Sequence, residues 1–148
     1  MKSIDSIRIN GNDDEILSVS LQDILENIKD GQTLKWSLLW IYAVGDLGTN
    51  KNMLDFEEEV NSANNGIFFT WEELKSLSSK FEQVLEMVLI GVKDIKDLKR
   101  YESDELMYSI CQYTIELIDS SYWEIHSLDI SSLEQIKDNL PGVEYIEE

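Results

Sequence analysis

The sequence predicts one α+β domain covering residues 1–148, with a mainly antiparallel sheet of about four to five strands and three to four helices. The chain length supports a single domain, because domains cluster at roughly 100–150 residues. Segments in which every second residue is apolar, typical of strands, are mixed with segments that have the apolar spacing of helices. Some strand segments are joined by a short turn and others by helices, which favours an antiparallel sheet over a doubly wound one.

The N-terminal part predicts a strand followed by a helix. Partial alternation over residues 4–9 indicates a short edge strand, and residues 10–13 (NGND) are typical of a turn. Ser20 is placed to begin a helix and Gly31 to end it. Between them, four apolar residues have helical spacing and would give the helix one buried side: Leu21, Ile24, Leu25 and Ile28.

Residues 34–44 predict a central strand. Large apolar residues occupy every second position, namely Leu34, Trp36, Leu38, Trp40, Tyr42 and Val44. The intervening positions also become apolar towards the end of the segment, which is typical of a strand that packs on both faces. Because Trp36 and Trp40 fall on the same side of a regular strand, we expect both in the core. Residues 45–48 (GDLG) then end the strand.

Two helices are predicted in the middle of the chain. Residues 54–63 indicate a short acidic helix that ends at the Asn-Gly pair 65–66. Thr70 and Glu73 have the capping-box spacing, in which each side chain bonds the other residue's backbone N–H. They begin a helix over about residues 70–80, with helices expected on one face of the sheet. The buried side of this helix carries Trp71, Leu74, Leu77 and Phe81.

Three further strand segments follow. Residues 84–92 predict a second central strand, which is apolar on both faces apart from Glu86. Residues 113–117 and 123–125 alternate between apolar and polar side chains. The segment between them, residues 118–122, suits a short hairpin connection. These two strands are therefore expected to pair directly.

The C-terminal part predicts one more helix and a closing strand. Ser131 and Glu134 form a second capping-box pattern. Residues 141–142 (PG) end the helix, and residues 143–146 are expected to return as an edge strand. The apolar side of this helix carries Leu133, Ile136 and Leu140.

The charge balance is strongly acidic. There are 30 Asp and Glu against 12 Lys and Arg, a formal net charge of −18. Phosphate backbones and anionic membranes would repel such a chain, so we expect neither a nucleic-acid nor a membrane partner. Complementary fields speed association, so the charge suits a protein that binds a cationic partner. The alternative interpretation is that the charge serves solubility or reflects an acidic or halophilic proteome.

Cysteine content and hydropathy indicate the compartment. Cys111 is the only cysteine, so one chain cannot form a disulfide, as is usual in a reducing cytosol. The first ten residues lack the apolar core of a secretory signal. The longest apolar run, residues 38–44, is far shorter than the about 20 residues that span a bilayer. We therefore expect a cytoplasmic protein.

The side chains needed for catalysis are scarce, so we expect a protein that is not an enzyme. His126 is the only histidine, and no nucleophile motif surrounds it or Cys111. A structural thiol and a surface imidazole are the simpler interpretations. Two such residues cannot build a zinc site, and no calcium loop is present, so neither metal nor cofactor is expected. Paired strand carboxylates remain open as a hydrolytic site, among Glu86, Glu116 and Glu124.

Recognition by carboxylates and aromatic rings is the remaining chemistry. Carboxylates pair with Arg and Lys, and aromatic rings supply buried anchors at interfaces. Acidic residues cluster in sequence around the end of the first central strand, and further candidates lie at the predicted hairpin. The alternative is that these are ordinary solvated acids and core aromatics. The candidate partner-binding residues are Asp46, Glu57, Glu58, Glu72, Asp119, Tyr122 and Glu124.

Three stretches carry a resemblance to a known functional class: residues 36–46 (WSLLWIYAVGD), 66–74 (GIFFTWEEL) and 118–124 (IDSSYWE). Together they resemble small acidic immunity proteins of bacterial polymorphic toxin systems, including cognates of contact-dependent inhibition toxins. The resemblance spans about residues 33–128. It implies a 1:1 complex with the C-terminal domain of a cognate toxin, commonly a basic RNase or DNase. Inhibition would come from covering the toxin's active site or its nucleic-acid groove.

Two other functions stay open at this point. The first is a small hydrolase that uses strand carboxylates, which would need a pocket where carboxyl groups of shifted pKa converge. The second is an adaptor that dimerises through an exposed apolar strand face.

Overall fold

The computed structural model describes residues 5–10, 19–48 and 52–146. Over these residues the chain forms one sheet of seven antiparallel strands in the order β3-β2-β4-β5-β6-β1-β7, with five α-helices. The strands are β1 (Asp5–Asn10), β2 (Lys35–Gly45), β3 (Ile67–Phe69), β4 (Phe81–Val92), β5 (Tyr113–Ile118), β6 (Tyr122–Ser127) and β7 (Val143–Tyr145). The helices are α1 (Leu21–Glu26), α2 (Met53–Ser62), α3 (Trp71–Ser78), α4 (Asp104–Ile110) and α5 (Ile130–Asn139).

The predicted α+β class and antiparallel sheet are confirmed, but the predicted number of elements is too low. The sequence prediction missed β3, which has three residues, and α4, which has seven. Both are shorter than the segments over which periodicity can be recognised, about 4–8 residues for a strand and about 11–18 for a helix. The β5–β6 hairpin pairs as expected. Strand β7 is an edge strand as predicted, whereas β1 is not, because it pairs with both β6 and β7.

The sheet packs on both faces, and β4 shows how. Met87 and Leu89 point to the main core, which contains the buried side chains of α1, α2, α3 and α5. Ile90 and Val92 point the other way, to a smaller cluster that includes Met107 of α4. Successive strand residues face opposite sides of a sheet, so the two sets belong to different layers. The prediction that helices cover one face is therefore wrong, since α4 covers part of the second.

The helix N-termini follow two of the three predicted caps. Ser20 and Thr70 both form complete capping boxes, at the starts of α1 and α3. The predicted box at Ser131 is wrong, because Asp129 caps α5 and accepts a hydrogen bond from the Ser131 backbone N–H. Phe81 is the first residue of β4 rather than part of the helix before it. Short polar caps, rather than the apolar spacing, set these boundaries.

The N-terminal region departs from the prediction at Gly31. Helix α1 ends at Glu26, and Gly31 begins a short 3-10 helix, Gly31–Thr33. A side chain at Gly31 would collide with Trp71, since an added Cβ would lie 2.5 Å from its ring. The predicted turn over residues 10–13 lies outside the described residues from residue 11 onwards. In the part of the chain that the structure describes, each helix is too short or too polar to cross a bilayer.

The large side chains of strand β2 switch from one face of the sheet to the other halfway along the strand. Its pairing with β4 shifts between Leu38 and Trp40, so that Leu39 is an extra residue. Such a bulge inverts the alternation of every later side chain. Trp36 is 0% exposed, whereas Trp40 is 42% exposed. The prediction that the two tryptophans share one core-facing side is therefore wrong.

Candidate functional site

The bulge brings the second half of β2 to the surface. Trp40, Tyr42 and Val44 are all exposed, on the side of the sheet opposite the main core. Their partners on β4 are Val88, Glu86 and Gln83, so these residues share the same side. We call the surface formed by Trp40, Tyr42, Val44, Glu86 and Ile118 the open face. Large exposed aromatic residues next to carboxylates are typical of a surface that binds something.

Arg100 holds the bulge in place. Its Nη1 donates to the carbonyl oxygen of Leu39 at 2.7 Å, and its Nη2 donates to that of Val60 at 2.9 Å. Its Nε donates to the carbonyl oxygen of Ala63 at 3.0 Å. One guanidinium therefore joins the end of α2 to the extra residue of β2. Because the bulge determines which way Trp40 points, Arg100 helps to fix the open face.

Helix α2 also covers the edge of β2 beyond the point where β3 ends. Asn61 accepts a hydrogen bond from the Ile41 N–H at 3.0 Å and donates one to the Ile41 carbonyl oxygen at 3.2 Å. Glu57 Oε1 accepts from the Ala43 N–H at 3.1 Å. These side chains satisfy strand groups that would otherwise invite another strand to pair. Glu57, a predicted partner-binding residue, thus has a structural role.

A row of side chains crosses the sheet on the side of the open face. Strand pairing places Trp40 opposite Val88, Val88 opposite Glu116, and Glu116 opposite Glu124. Glu124 in turn lies opposite Arg8 of β1. Residues directly opposite in adjacent strands have Cβ atoms about 4.5–5.5 Å apart. The sheet register therefore gathers two carboxylates, an arginine and an exposed tryptophan from four different strands.

Glu116 is the most buried carboxylate of this row. It is 9% exposed, and its Oε1 accepts a hydrogen bond from Tyr108 Oη at 2.5 Å. Burial raises the pKa of Glu116 above its ordinary value, opposed by the Tyr108 hydrogen bond and aided by the charges of Asp104 and Glu124. Tyr108 also stacks on His126, with ring centroids 3.6 Å apart. Tyr108 belongs to helix α4, so this helix packs against both Glu116 and His126 on the side of the open face.

Arg8 engages two of the predicted partner-binding residues within the chain. Its Nη2 lies 3.6 Å from Glu124 Oε2, and its Cζ lies 4.3 Å from the centre of the Tyr122 ring. Glu124 Oε1 also lies 3.3 Å from His126 Nε2. The Glu124 charge is therefore met by a cation of its own chain. This pairing could not be predicted from the sequence, because Arg8 and Glu124 are far apart along the chain.

An open cavity of about 180 Å³ lies beside this row, between Trp40 and the β5–β6 turn. Its lining includes the carboxylates of Glu86, Glu116 and Asp119. Trp40 Nε1 donates to Glu86 Oε2 at 3.1 Å, which fixes the indole at the rim. Among the described residues that line the cavity, none is basic. The site thus combines an aromatic ring with unneutralised negative charge.

The remaining predicted residues do not meet at this cavity. Asp46 is exposed after the end of β2, where its Oδ1 accepts from the Gly48 N–H at 2.8 Å. Glu58 is exposed on α2. Glu72 lies on α3, which packs against the main core, and its Oε1 is 3.5 Å from Lys75 Nζ. The structure therefore brings Asp119, Tyr122 and Glu124 together but leaves Glu72 on another side of the molecule.

Cys111 lies in an environment that suppresses reactivity. Burial raises the pKa of its thiol to about 11. Hydrogen bonds with Tyr101 and Thr114 lower this pKa in part, and the negative charge of Asp97 raises it. A catalytic cysteine needs the opposite, an electropositive setting that lowers the pKa. Within residues 5–10, 19–48 and 52–146, no three His, Cys, Asp or Glu side chains are grouped so that they could hold a metal ion.

Trp40, Glu86 and Glu116 were missed as a binding group. Glu86 carried a usable signal, since it is the one charged residue in an otherwise apolar strand segment. Trp40 carried none, because its orientation depends on the bulge. Comparison with protein-family models, with curated proteins and with solved structures finds no match. The resemblance to immunity proteins therefore stays a prediction.

Proposed function

We propose that this chain is an immunity protein that binds and neutralises a cognate toxin domain in the cytoplasm. The toxin domain is cationic, with a basic nuclease as the expected class, and the complex is a 1:1 heterodimer. The observation that supports this most is the open face, where Trp40 and Tyr42 are 42% and 52% exposed beside unneutralised carboxylates. Tryptophan and tyrosine are the residues that most often dominate binding energy at interfaces.

Inhibition would act through charge. A nuclease groove is basic because it holds phosphates, and an acidic surface can occupy the same groove by carrying the same charge. The formal net charge of −18 would attract such a partner over long distances and raise the association rate. The exposed acids Asp46, Glu58 and Asp119 add to this field. Occupation of the groove would exclude the nucleic acid without any chemical step.

Cell survival tests this function directly. Expression of the open reading frame immediately upstream should kill cells, and coexpression of this chain should restore growth. A triple charge reversal of Asp46, Glu58 and Asp119 to Lys should slow association and weaken its dependence on salt. Killing that continues at the same level in the presence of this chain would contradict the proposal.

A small hydrolase is the second candidate, and one observation favours it. Glu116, whose pKa is raised mainly by burial, lines the same cavity as Glu86 and Asp119. A protonated carboxyl can donate a proton while an ionised one acts as base. Turnover of a panel of p-nitrophenyl glycosides and esters that Glu116→Gln abolishes would favour this candidate. Rates equal to those in buffer alone would argue against it.

A further inference from the structure

We infer that the cavity beside Trp40 is an anchoring pocket for one arginine side chain of the protein partner. This rests on the proposed function, in which a cationic partner supplies the side chain. The pocket lies on the open face and has a volume of about 180 Å³. It is lined by Trp40, Glu86, Glu116 and Asp119, together with apolar strand residues. An aromatic wall, several carboxylates and an apolar floor are what a guanidinium on an aliphatic stem requires.

Trp40 is oriented for stacking. Its indole nitrogen donates to Glu86 Oε2 at 3.1 Å, so the edge of the ring is tied to β4. The side chain is nevertheless 42% exposed, which leaves ring surface available. A cation above the face of a tryptophan is attracted by the ring quadrupole, and arginine does this more often than lysine. The hydrogen bond therefore holds the ring in place before any partner arrives.

Glu116 presents a carboxylate oxygen to the pocket. It is 9% exposed, and Tyr108 binds its Oε1. The described residues donate to its Oε1 alone, and its Oε2 is not one of the buried side-chain atoms without a partner, so Oε2 is accessible from the solvent that fills the pocket. A carboxylate oxygen that faces a pocket can accept a charge-assisted hydrogen bond from a group that enters it. An entering guanidinium would provide both the donor and the opposite charge.

The contrast with Glu124 supports a cation from outside the chain. Glu124 lies next to Glu116 in the cross-strand row and already has Arg8 at 3.6 Å. Glu86 and Glu116 form no ion pair with any described basic residue. Arg8 thus neutralises the charge of Glu124, whereas no described basic residue neutralises the carboxylates that line the pocket. Charge complementarity therefore identifies the occupant as cationic.

Asp119 is held at the rim by the turn. Asp119 and Ser120 both have positive φ, 49° and 60°. The Ser120 N–H donates to the Leu85 carbonyl oxygen at 2.9 Å, which ties the turn to β4. A rigid turn presents the Asp119 carboxylate without the entropy cost of ordering a mobile loop. Two carboxylates that line one pocket suit the planar, forked donors of arginine better than the compact ammonium of lysine.

The test uses short peptides and the four tryptophan indole N–H signals in a ¹H–¹⁵N spectrum. The wild-type chain is titrated with Ac-Gly-Arg-Gly-NH₂ and with its lysine and citrulline counterparts. The Trp40 signal is assigned with Trp40→Phe. We expect the arginine peptide to shift the Trp40 signal selectively, the lysine peptide to bind more weakly and the citrulline peptide to have no effect.

Charge-matched variants make the test specific. Glu86→Gln keeps an acceptor for the Trp40 indole but removes one charge, and should weaken arginine-peptide binding about two- to fivefold, the size of one exposed ion pair. Glu134→Gln removes the same charge from an exposed position on α5 and should change nothing. Equal weakening by both variants, equal shifts with citrulline, or shifts of all four indoles would overturn the pocket. So would a concentration-dependent Trp40 shift without peptide, which would assign the face to a second copy of the chain.

The same variants separate this inference from the proposed function. If the chain rescues cells from the toxin and Glu86→Gln combined with Trp40→Ala rescues equally well, the pocket is wrong and the function stands. If the peptides bind as expected but the chain gives no rescue, the pocket stands and the immunity function fails.

Discussion

The guanidinium of Arg100 donates to the carbonyl oxygen of Leu39 at 2.7 Å, across a separation of 61 residues. Leu39 is the extra residue at which β2 changes its register with β4. A bulge leaves backbone groups outside the regular strand ladder, and buried groups of this kind need partners. Arg100 supplies one and at the same time binds carbonyl groups at the end of α2. The orientation of Trp40 thus depends on a residue beyond the sheet.

We expect Arg100→Ala to lower the free energy of unfolding by about 1–3 kcal/mol, because several carbonyl oxygens lose a charged donor. Urea denaturation measures this. Lys96→Ala is the matched control, since it removes a positive charge from an exposed side chain in the same loop and should change stability by less than about 0.5 kcal/mol. Equal stability of the two variants would mean that the carbonyl contacts of Arg100 do not hold the bulge.

We expect Gly66→Ala to destabilise the fold more than Gly48→Ala. Both glycines have positive φ, +74° and +70°, so both variants carry the same backbone cost of about 1–2 kcal/mol. At Gly66 an added Cβ would lie 2.4 Å from the Leu38 carbonyl oxygen, whereas at Gly48 it would meet open space. The difference, about 1–3 kcal/mol from overpacking, measures how closely residue 66 approaches β2. Thermal denaturation of the pair gives it, and equal midpoints would refute the close approach.

The raised pKa of Glu116 predicts a pH dependence of stability. Because burial raises the folded-state pKa above the ordinary 4.5, the folded chain holds this proton more tightly than the unfolded chain does. Stability from this group is therefore present below pH 4.5 and is lost as pH rises through the folded-state pKa. Glu116→Gln cannot lose a proton, and its amide oxygen can still accept from Tyr108.

We therefore expect the stability of Glu116→Gln relative to wild type to increase as pH rises above 4.5, measured by urea denaturation at several pH values. Glu134→Gln removes the same charge from the surface and should follow the wild-type pH profile closely. A Glu116→Gln profile parallel to wild type would show that the Glu116 carboxyl is not desolvated in the folded state.

The thiol of Cys111 should react slowly in the folded protein. Burial raises its pKa from 9.0 to about 11, which lowers the thiolate fraction near neutral pH about a hundredfold. Labelling with Ellman's reagent at pH 8 should be at least that much slower in the native chain than in 6 M guanidinium chloride. Fast labelling of the native chain would instead indicate an activated thiol and would contradict the structural role expected for Cys111.

Periodicity predicted most strands and helices because apolar alternation and helical spacing are local properties. The helix starts at Ser20 and Thr70 were predictable for the same reason, since each cap is complete within four residues. Strand β3 and helix α4 were not, because three and seven residues contain too few repeats of the apolar pattern to separate it from chance. The edge position predicted for β1 failed because strand order depends on partners from the far end of the chain.

The candidate site was only partly predictable. Asp119, Tyr122 and Glu124 were identified correctly as neighbours because they belong to one hairpin. The sequence could not show that Arg8 pairs with Glu124, because β1 and β6 are far apart along the chain and become neighbours only in the folded sheet. Nor could it show that Trp40 reaches the surface, since an alternating segment gives no sign of an extra residue.

By itself the sequence determined the class of the fold, the main elements and the surplus of negative charge. These follow from composition and from patterns a few residues long. Only the tertiary structure decided which side of the sheet Trp40 occupies and which carboxylates lack a cation. The physical reason is that a bulge shifts the register of a strand relative to its neighbour, and pairing between distant strands sets which charges meet. Both depend on contacts that no local pattern contains.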